Sequence, residues 1–144
     1  MLLTKYANQM PAVPLSEYPR PQFRRSSYVC LNGTWKCAFT NSSQLPKAFP
    51  IDILVPFSPE TPLSGVGRML GPREYLHYMR TFTLDPSFNR GRVLLHFGAV
   101  DQTAEVFVNG KSVAFHVGGY TPFSADITDA LCDGENTLCV TVQD

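Results

Sequence analysis

Residues 104–117 read AEVFVNGKSVAFHV, and the dipeptide Asn109-Gly110 at their centre is among the strongest local signals in the chain. A type I′ turn needs a positive φ at both central residues, which Asn-Gly tolerates well, and such a turn joins antiparallel strands. Apolar residues alternate with other residues on both sides, with the period of two that is typical of strands. The stretch therefore predicts a β-hairpin with strands over Ala104–Val108 and Lys111–Val117.

Short runs rich in Val, Phe, Leu, Tyr and Thr recur on both sides of this hairpin, and helical periodicity is hard to find. Twelve prolines and ten glycines, together with Asn and Asp clusters, separate the runs. The further strands that we expect are Thr34–Thr40, Ile51–Phe57, Glu74–Leu84, Arg92–Phe97 and Thr137–Val142, with one helical turn over Asp126–Leu131. This pattern predicts an all-β sandwich or barrel.

The length of 144 residues, 44% of them hydrophobic, predicts one compact domain. Its core includes the face of the first strand that holds Trp35, the only tryptophan, because alternation places Trp35, Cys37 and Phe39 together. Four prolines between residues 11 and 21 exclude a helix or a central strand there. We therefore expect an amino-terminal arm over residues 1–25 and a sandwich domain over residues 26–144.

The charge balance and the start of the chain limit the partners and the location. Twelve basic and twelve acidic residues cancel, so neither nucleic acid nor a membrane surface is expected as a partner. Met1–Tyr6 is too short an apolar stretch for a signal peptide, and no run approaches the length of a membrane span. We expect a cytoplasmic protein. A secreted protein is the alternative, which four cysteines and the sequons at Asn32 and Asn41 would favour.

The cysteines have a spacing that matches neither zinc-binding pairs nor a redox motif. They are Cys30, Cys37, Cys132 and Cys139. We expect reduced thiols that pack as small apolar side chains, and we expect no metal and no cofactor.

Several short motifs occur in a fixed order: LLHFGAVDQ (94–102), AEVFVNGK (104–111), HVGGYTPF (116–123), DIT (126–128) and GENTL (134–138). RPQ (20–22), LNGTW (31–35) and YMRTF (78–82) precede them. The ordered set, which covers about Tyr18–Asp144, resembles the amino-terminal sugar-binding domain of glycoside hydrolase family 2, the β-galactosidase/β-glucuronidase-like enzymes. The resemblance implies a jelly-roll-type β-sandwich similar to galactose-binding domains.

The resemblance implies carbohydrate as a ligand, and two residues beside the Gly118-Gly119 bend are the first candidates to contact it. His116 and Tyr120 offer a polar ring and a phenol for hydrogen bonding or stacking. His77, Arg68 and Arg73 border the long loop over residues 58–73 and are further candidates. The alternatives are structural: a backbone carbonyl fixes His116, Tyr120 fills the sandwich edge, and the others form a solvated rim.

The remaining motif residues are expected to serve the scaffold. They form the hairpin, the sharp bend, the start of the next strand and the cap of the helical turn: Asn109, Gly110, Gly118, Gly119, Pro122, Phe123 and Asp126.

Retaining glycoside hydrolysis requires two carboxyl groups about 5 Å apart. The only glutamates are Glu17, Glu60, Glu74, Glu105 and Glu135, and nothing around them indicates such a pair. The resemblance implies that the catalytic glutamates of the family lie on a (β/α)8 barrel farther along the polypeptide, and no alternating βα pattern exists here. We therefore expect no catalytic residue in this chain, a catalytic barrel of the same polypeptide as its partner, and a β-galactoside, β-glucuronide or β-mannoside as substrate.

Family members continue past a segment like Val140–Asp144 into a further strand, so the chain resembles a truncated domain with an open sheet edge. We expect self-association through that edge or through the surface that would face the barrel, giving dimers or larger species. A stand-alone carbohydrate-binding module and a structural interaction domain are the alternative functions. A binding module would expose aromatic rings, for which only Tyr120, Phe123, Tyr75 and Phe57 lie near loops.

Overall fold

The computed structural model describes residues 9–144, which form two compact units. The first unit contains residues up to Trp35 together with Asp52–Met69, and the second contains Lys36–Ile51 together with Leu70–Asp144. Residues 1–8, with the start of the predicted arm and the segment Met1–Tyr6, lie outside the described residues. None of the helical turns in the described part is long and apolar enough to span a membrane.

The strands of the described residues agree with the expected all-β pattern. They are β1 Gly33–Thr40, β2 Ile51–Val55, β3 Tyr75–Thr83, β4 Leu94–Phe97, β5 Thr103–Val108, β6 Lys111–Val117, β7 Phe123–Asp126 and β8 Glu135–Gln143. In the second unit, the strand order of the larger sheet is β1-β3-β8-β5-β6, and β4 pairs with β7. The prediction of an all-β, jelly-roll-type sandwich is confirmed.

The inner face of the larger sheet is an apolar core built from cross-strand partners. Val140 on β8 lies opposite Tyr78 on β3 and Val106 on β5. Val142 lies opposite Leu76 and Ala104 in the next row. Burial of each large aliphatic side chain contributes roughly 1.5–3 kcal/mol, so these rows stabilise the register as well as the fold.

The outer face is also buried along the centre of this sheet. Five consecutive residues of β8, from Leu138 to Val142, are buried. The alternation in the sequence predicted burial of only every second residue of this strand. The reason is that the chain following β1 covers this face, where the Ser42 carbonyl accepts a hydrogen bond from His77 Nε2 at 3.0 Å. A central strand that is covered on both faces cannot show a simple alternation.

The position of β8 limits where the expected open edge can lie. β8 pairs with β3 on one side and β5 on the other, so the last strand of the chain does not adjoin an unpaired edge. Among the described residues of the second unit, β6 forms an edge of the larger sheet, and β4 and β7 each have one partner strand.

Strand β7 was missed as a separate strand, because its four residues are too few to show a period. The sequence had assigned Asp126 to a helical turn, and the turn itself is a 3₁₀ turn over Thr128–Ala130. Ile127 occupies the cap position of this turn and no side chain caps it, so the expected cap is not formed. The Asp126 carboxylate instead accepts local hydrogen bonds from the backbone N–H of Thr128 at 3.1 Å and from its hydroxyl at 2.6 Å. These bonds and the neighbouring Arg92 lower the pKa of Asp126 to about 2.

The described part of the predicted arm is ordered within the first unit. Pro14 is buried, and its carbonyl accepts a hydrogen bond from Asn32 Nδ2 at 2.9 Å. The rings of Tyr18 and Tyr28 meet edge to face, with centroids 4.7 Å apart. Trp35 is only 6% exposed, and its Nε1 donates to the Leu31 carbonyl at 2.7 Å, so the prediction of a buried tryptophan is confirmed.

The cysteines, all within the described residues, form no disulfide, as expected. Cys37 and Cys139 are buried and fill space between larger side chains as small apolar groups. Burial raises the pKa of the Cys139 thiol, which keeps it protonated at neutral pH.

The hairpin has the predicted backbone, with φ of 51° at Asn109 and 79° at Gly110. The Asn109 side chain adds contacts that the dipeptide alone does not reveal. Its Nδ2 donates to Asn136 Oδ1 at 2.8 Å and to the Ala130 carbonyl at 2.8 Å, while its Oδ1 accepts from the Thr137 N–H at 2.9 Å. The turn is therefore attached to the beginning of β8.

Replacing Gly110 with valine is expected to lower the free energy of unfolding by at least about 1 kcal/mol, because a branched side chain is strained at positive φ. Gly98→Val is the matched control, since Gly98 also has open space around its Cβ position but no positive φ. Urea denaturation followed by Trp35 fluorescence measures both variants. Equal stabilities of the two variants would contradict the backbone assignment.

Candidate functional site

The segment between β6 and β7, residues 118–122, contains the predicted contact residue Tyr120, and we call it the Tyr120 loop. Tyr120 is 94% exposed. An aromatic side chain with so much exposed surface does not gain the stabilisation that burial provides. Tyr120 therefore marks this loop as a candidate binding surface.

Backbone hydrogen bonds hold the start of the Tyr120 loop. Gly118 has a φ of 130°, which only glycine adopts without strain, and its N–H donates to the Gln102 carbonyl at 2.8 Å. His116 Nε2 lies 3.1 Å from the Gly118 carbonyl oxygen, and because that oxygen can only accept, Nε2 carries the proton and donates it. The Thr121 hydroxyl lies 3.2 Å from the same nitrogen.

Three stacked rings fix the orientation of the His116 imidazole. His116 stacks on Phe123 with centroids 4.3 Å apart and planes inclined by 12°. Phe123 in turn stacks on Phe97 at 4.7 Å and 10°. The structural role that the sequence left open for His116 is therefore present, and the ring orients the loop that holds Tyr120.

The close approach of Asp101 explains why position 119 is glycine. A Cβ atom on Gly119 would overlap the Asp101 carboxylate and lie 2.5 Å from its Cγ. Asp101 is exposed, so it brings a carboxylate to the surface beside the loop. Sequence reasoning missed this residue, because a separation of 18 positions carries no sign of contact.

The Tyr120 loop thus presents a phenol, a neighbouring carboxylate and the exposed Thr121 hydroxyl on a backbone that is already ordered. Aromatic faces and hydrogen-bonding groups of this kind suit a ligand rich in hydroxyls. An ordered backbone also lowers the entropic cost of binding.

His77 lies elsewhere, and its burial removes it from the predicted contact set. Its side chain has no exposed surface, and the Thr141 hydroxyl donates to Nδ1 at 2.9 Å while Nε2 donates to the Ser42 carbonyl. By register, His116 shares a face with Leu76, so the neighbouring His77 points to the opposite face of the sheet. Burial lowers the pKa of His77, and the Ser42 carbonyl opposes that change only in part.

The two arginines proposed for the rim are both exposed. Arg68 belongs to the first unit and its backbone N–H donates to the Pro59 carbonyl at 3.0 Å, whereas Arg73 belongs to the second. Within the first unit, the long loop is ordered by the buried Ser64, whose hydroxyl donates to the Thr61 carbonyl at 2.7 Å. A role of either arginine in binding stays a prediction.

Comparison with known proteins places this geometry in a family. Residues 48–144 match the family model described as the sugar binding domain of glycosyl hydrolases family 2. The chain belongs to this family. The resemblance inferred from the ordered motifs is confirmed.

Related family 2 proteins are much longer than this chain. The β-galactosidase of Thermoanaerobacter pseudethanolicus is 42% identical over 67 residues, which are 45% of this chain and 9% of that protein. The β-glucuronidase of Bacteroides fragilis is 28% identical over 107 residues, which are 74% of this chain and 15% of that protein.

Solved structures of β-glucuronidases contain the same fold. The enzyme from Faecalibacterium prausnitzii matches with a TM-score of 0.60 and 36% identity, covering 78% of this chain and 20% of that one. A β-glucuronidase from an uncultured Clostridium species matches with a TM-score of 0.64 and 31% identity, covering 78% and 21%. The chain therefore spans about a fifth or less of the length of these relatives.

Replacing His77 with glutamine is expected to reduce the pH dependence of stability. Because the pKa of folded His77 is lowered from 6.5, the stability that it contributes is complete above about pH 6.5 and is lost as the pH falls towards the folded pKa. The free energy of unfolding of the unaltered chain should therefore fall more steeply between pH 8 and pH 5 than that of His77→Gln.

Urea denaturation at several pH values measures this difference. His96→Gln is the matched control, because His96 is an exposed histidine of the same unit. An unchanged pH slope in His77→Gln would show that the buried imidazole does not couple folding to protonation.

Proposed function

We propose that this chain is a non-catalytic sugar-binding and scaffold domain of a longer retaining β-glycosidase that hydrolyses O-glycosidic bonds. Its substrate would be a β-galactoside, a β-glucuronide or a β-mannoside. The catalytic barrel of the same polypeptide would be its partner, and carbohydrate its ligand. We also propose a cytoplasmic location.

The observation that carries this proposal is the family match over residues 48–144, combined with the small share of each relative that the chain covers. The matched stretch makes up 9% of that β-galactosidase and 15% of that β-glucuronidase, which leaves most of each protein for other parts. The catalytic role is therefore assigned to residues beyond this domain.

The surroundings of the glutamates support the non-catalytic role. Glu60 accepts a hydrogen bond from the Ser58 hydroxyl at 2.8 Å, and Glu74 accepts one from the Gly71 N–H at 2.9 Å. Each carboxylate is thus engaged by its own turn. A retaining mechanism instead needs two carboxyl groups about 5 Å apart that face one sugar pocket.

The Tyr120 loop supports the carbohydrate ligand. Within the second unit, Tyr120, Thr121 and Asp101 offer a ring, a hydroxyl and a carboxylate to the same stretch of surface. In the longer protein, this surface would contact either the sugar or the partner domain. Self-association of the chain would use the edge strand β6 or the two-stranded β4–β7 sheet, since both offer unpaired backbone groups.

A stand-alone carbohydrate-binding module is the second candidate, and the 94% exposure of Tyr120 favours it. The gene beyond the codon for Asp144 distinguishes the two functions. A barrel with two glutamates is expected from the first proposal, whereas a stop codon would support the module.

The 144-residue chain is expected to show no turnover of aryl β-galactosides, β-glucuronides or β-mannosides, because residues 9–144 present no carboxyl pair placed as acid and nucleophile. Release of the aryl group, followed by absorbance, measures this. Glu60→Gln and Glu74→Gln are the diagnostic variants. Turnover that disappears in either variant would overturn the non-catalytic assignment.

A further inference from the structure

The outer face of the larger sheet contains a cleft that is separate from the Tyr120 loop. Alternation places odd-numbered residues of four neighbouring strands on this face, and a residue that follows β1 completes the wall. The cleft has a volume of about 220 Å³ and is lined by Ser43, Tyr75, Thr103, Glu105, Phe115, Thr141 and Gln143. All of these residues belong to the second unit.

The strand register arranges these side chains in two adjacent rows. Glu105 on β5 lies directly between Thr141 on β8 and Phe115 on β6. Thr103 lies beside Gln143 in the next row. Polar groups therefore occupy the centre of the cleft, and an aromatic ring stands on the edge strand.

The aromatic residues of the cleft stand on strands that are already fixed. Phe115 is 69% exposed although it belongs to a regular strand, so no described part of the chain covers it. Tyr75 stacks on His77 with ring centroids 6.3 Å apart and planes inclined by 26°. Because His77 is buried and hydrogen-bonded through both nitrogens, it holds the Tyr75 ring in place.

The polar residues of the cleft differ in whether they are available to a ligand. Thr141 donates its hydroxyl to His77, and the Thr103 hydroxyl donates to the Gln143 backbone carbonyl at 3.0 Å. Glu105 accepts from the Ser112 hydroxyl at 2.9 Å through Oε1 only. Within residues 9–144, the carboxamide of Gln143 has no protein partner, so this amide and Glu105 Oε2 are available for hydrogen bonds.

The charge of the lining selects the ligand. Glu105 provides the one carboxylate in the lining, which includes no lysine, arginine or histidine. A carboxylate accepts hydrogen bonds from hydroxyl groups but repels a second carboxylate or a phosphate, and such like-charge repulsion is strong when solvent is partly excluded. The size agrees with a small ligand, since 220 Å³ lies below the roughly 300–1,000 Å³ of drug-sized pockets.

We propose that this outer-face cleft binds one neutral pyranoside ring, with Phe115 and Tyr75 against its apolar faces and with Glu105 and Gln143 hydrogen-bonded to its hydroxyls. The site discriminates against uronic acids through Glu105. It is independent of the proposed partnership with a catalytic barrel, because all of its groups lie on this sheet face and in the chain that follows β1.

Titration of the 15N-labelled 144-residue chain, followed by backbone amide chemical shifts, tests the site. The probes are methyl β-glucopyranoside and methyl β-glucuronide, which differ only in the neutral CH₂OH or the carboxylate at C6. The glucopyranoside is expected to shift the amides around Glu105, Phe115 and Gln143 with a Kd on the order of 1 mM, and the glucuronide is expected to leave them unshifted.

Two substitutions and two matched controls assign the contributions. Phe115→Ala is expected to weaken glucopyranoside binding by about threefold to tenfold, whereas Phe23→Ala should not, although Phe23 is 71% exposed in the first unit. Glu105→Gln is expected to weaken glucopyranoside binding and to admit the glucuronide. Glu135→Gln removes an exposed carboxylate elsewhere on β8 and should change neither ligand.

Every outcome of the titration bears on the site. Shifts confined to the Tyr120 loop would support the proposed sugar-binding function and overturn the cleft. The absence of amide shifts at sugar concentrations well above the expected Kd would also overturn the cleft. That result would leave the non-catalytic assignment intact, because aryl glycoside turnover tests that assignment in a separate experiment. Amide shifts at the cleft that depend on protein concentration without sugar would show that the face joins two copies of the chain, and that result too would overturn the proposal.

Discussion

Strand β8 is held between β3 and β5 by hydrogen bonding along both edges, and it is buried on both faces. This double constraint determines the register of the strands around it. On the inner face, Leu138, Val140 and Val142 belong to the apolar core. On the outer face, Thr141 binds the buried His77, which in turn binds the chain that follows β1. A shift of β8 by one residue would exchange these two environments and place a hydroxyl in the core, which is why the register is unique.

Polar contacts then attach the loops to this framework. Asn109 joins the hairpin to Asn136 at the start of β8, where Asn136 also accepts from the Cys132 N–H at 2.8 Å. The ring of His116 stacks on Phe123 and orients the Tyr120 loop. Among the described residues, no buried side-chain nitrogen or oxygen lacks a hydrogen-bond partner. The loops are therefore ordered by satisfied polar groups, and the exposed side chains that they present have little conformational entropy to lose on binding.

The two candidate surfaces lie on different parts of the same unit and differ in chemistry. The Tyr120 loop places a single exposed phenol beside the Asp101 carboxylate, and it lies at the junction of the two sheets, where β6 leads into β7. The outer-face cleft is formed by side chains of four strands around Glu105. A family 2 sugar-binding domain that combines the two would present one surface on a loop and one on a rigid sheet, and positions on strands are held more accurately than positions on loops.

The sequence by itself determined the fold class, most of the strands and the family. Local chemistry carries that information, because Asn109-Gly110 requires a particular turn and alternation of period two assigns one face of each strand to the core. The tertiary structure alone decided which side chains meet across the chain. His77 was a candidate sugar contact in the sequence, with a solvated rim as the alternative, and its burial depends on Ser42 and Thr141, which are 35 and 64 positions away. The cleft around Glu105 likewise depends on the strand order β3-β8-β5-β6, and neither spacing nor residue type encodes that order locally. Contacts between distant residues arise from the pairing of strands, so a pattern read along one strand cannot contain them.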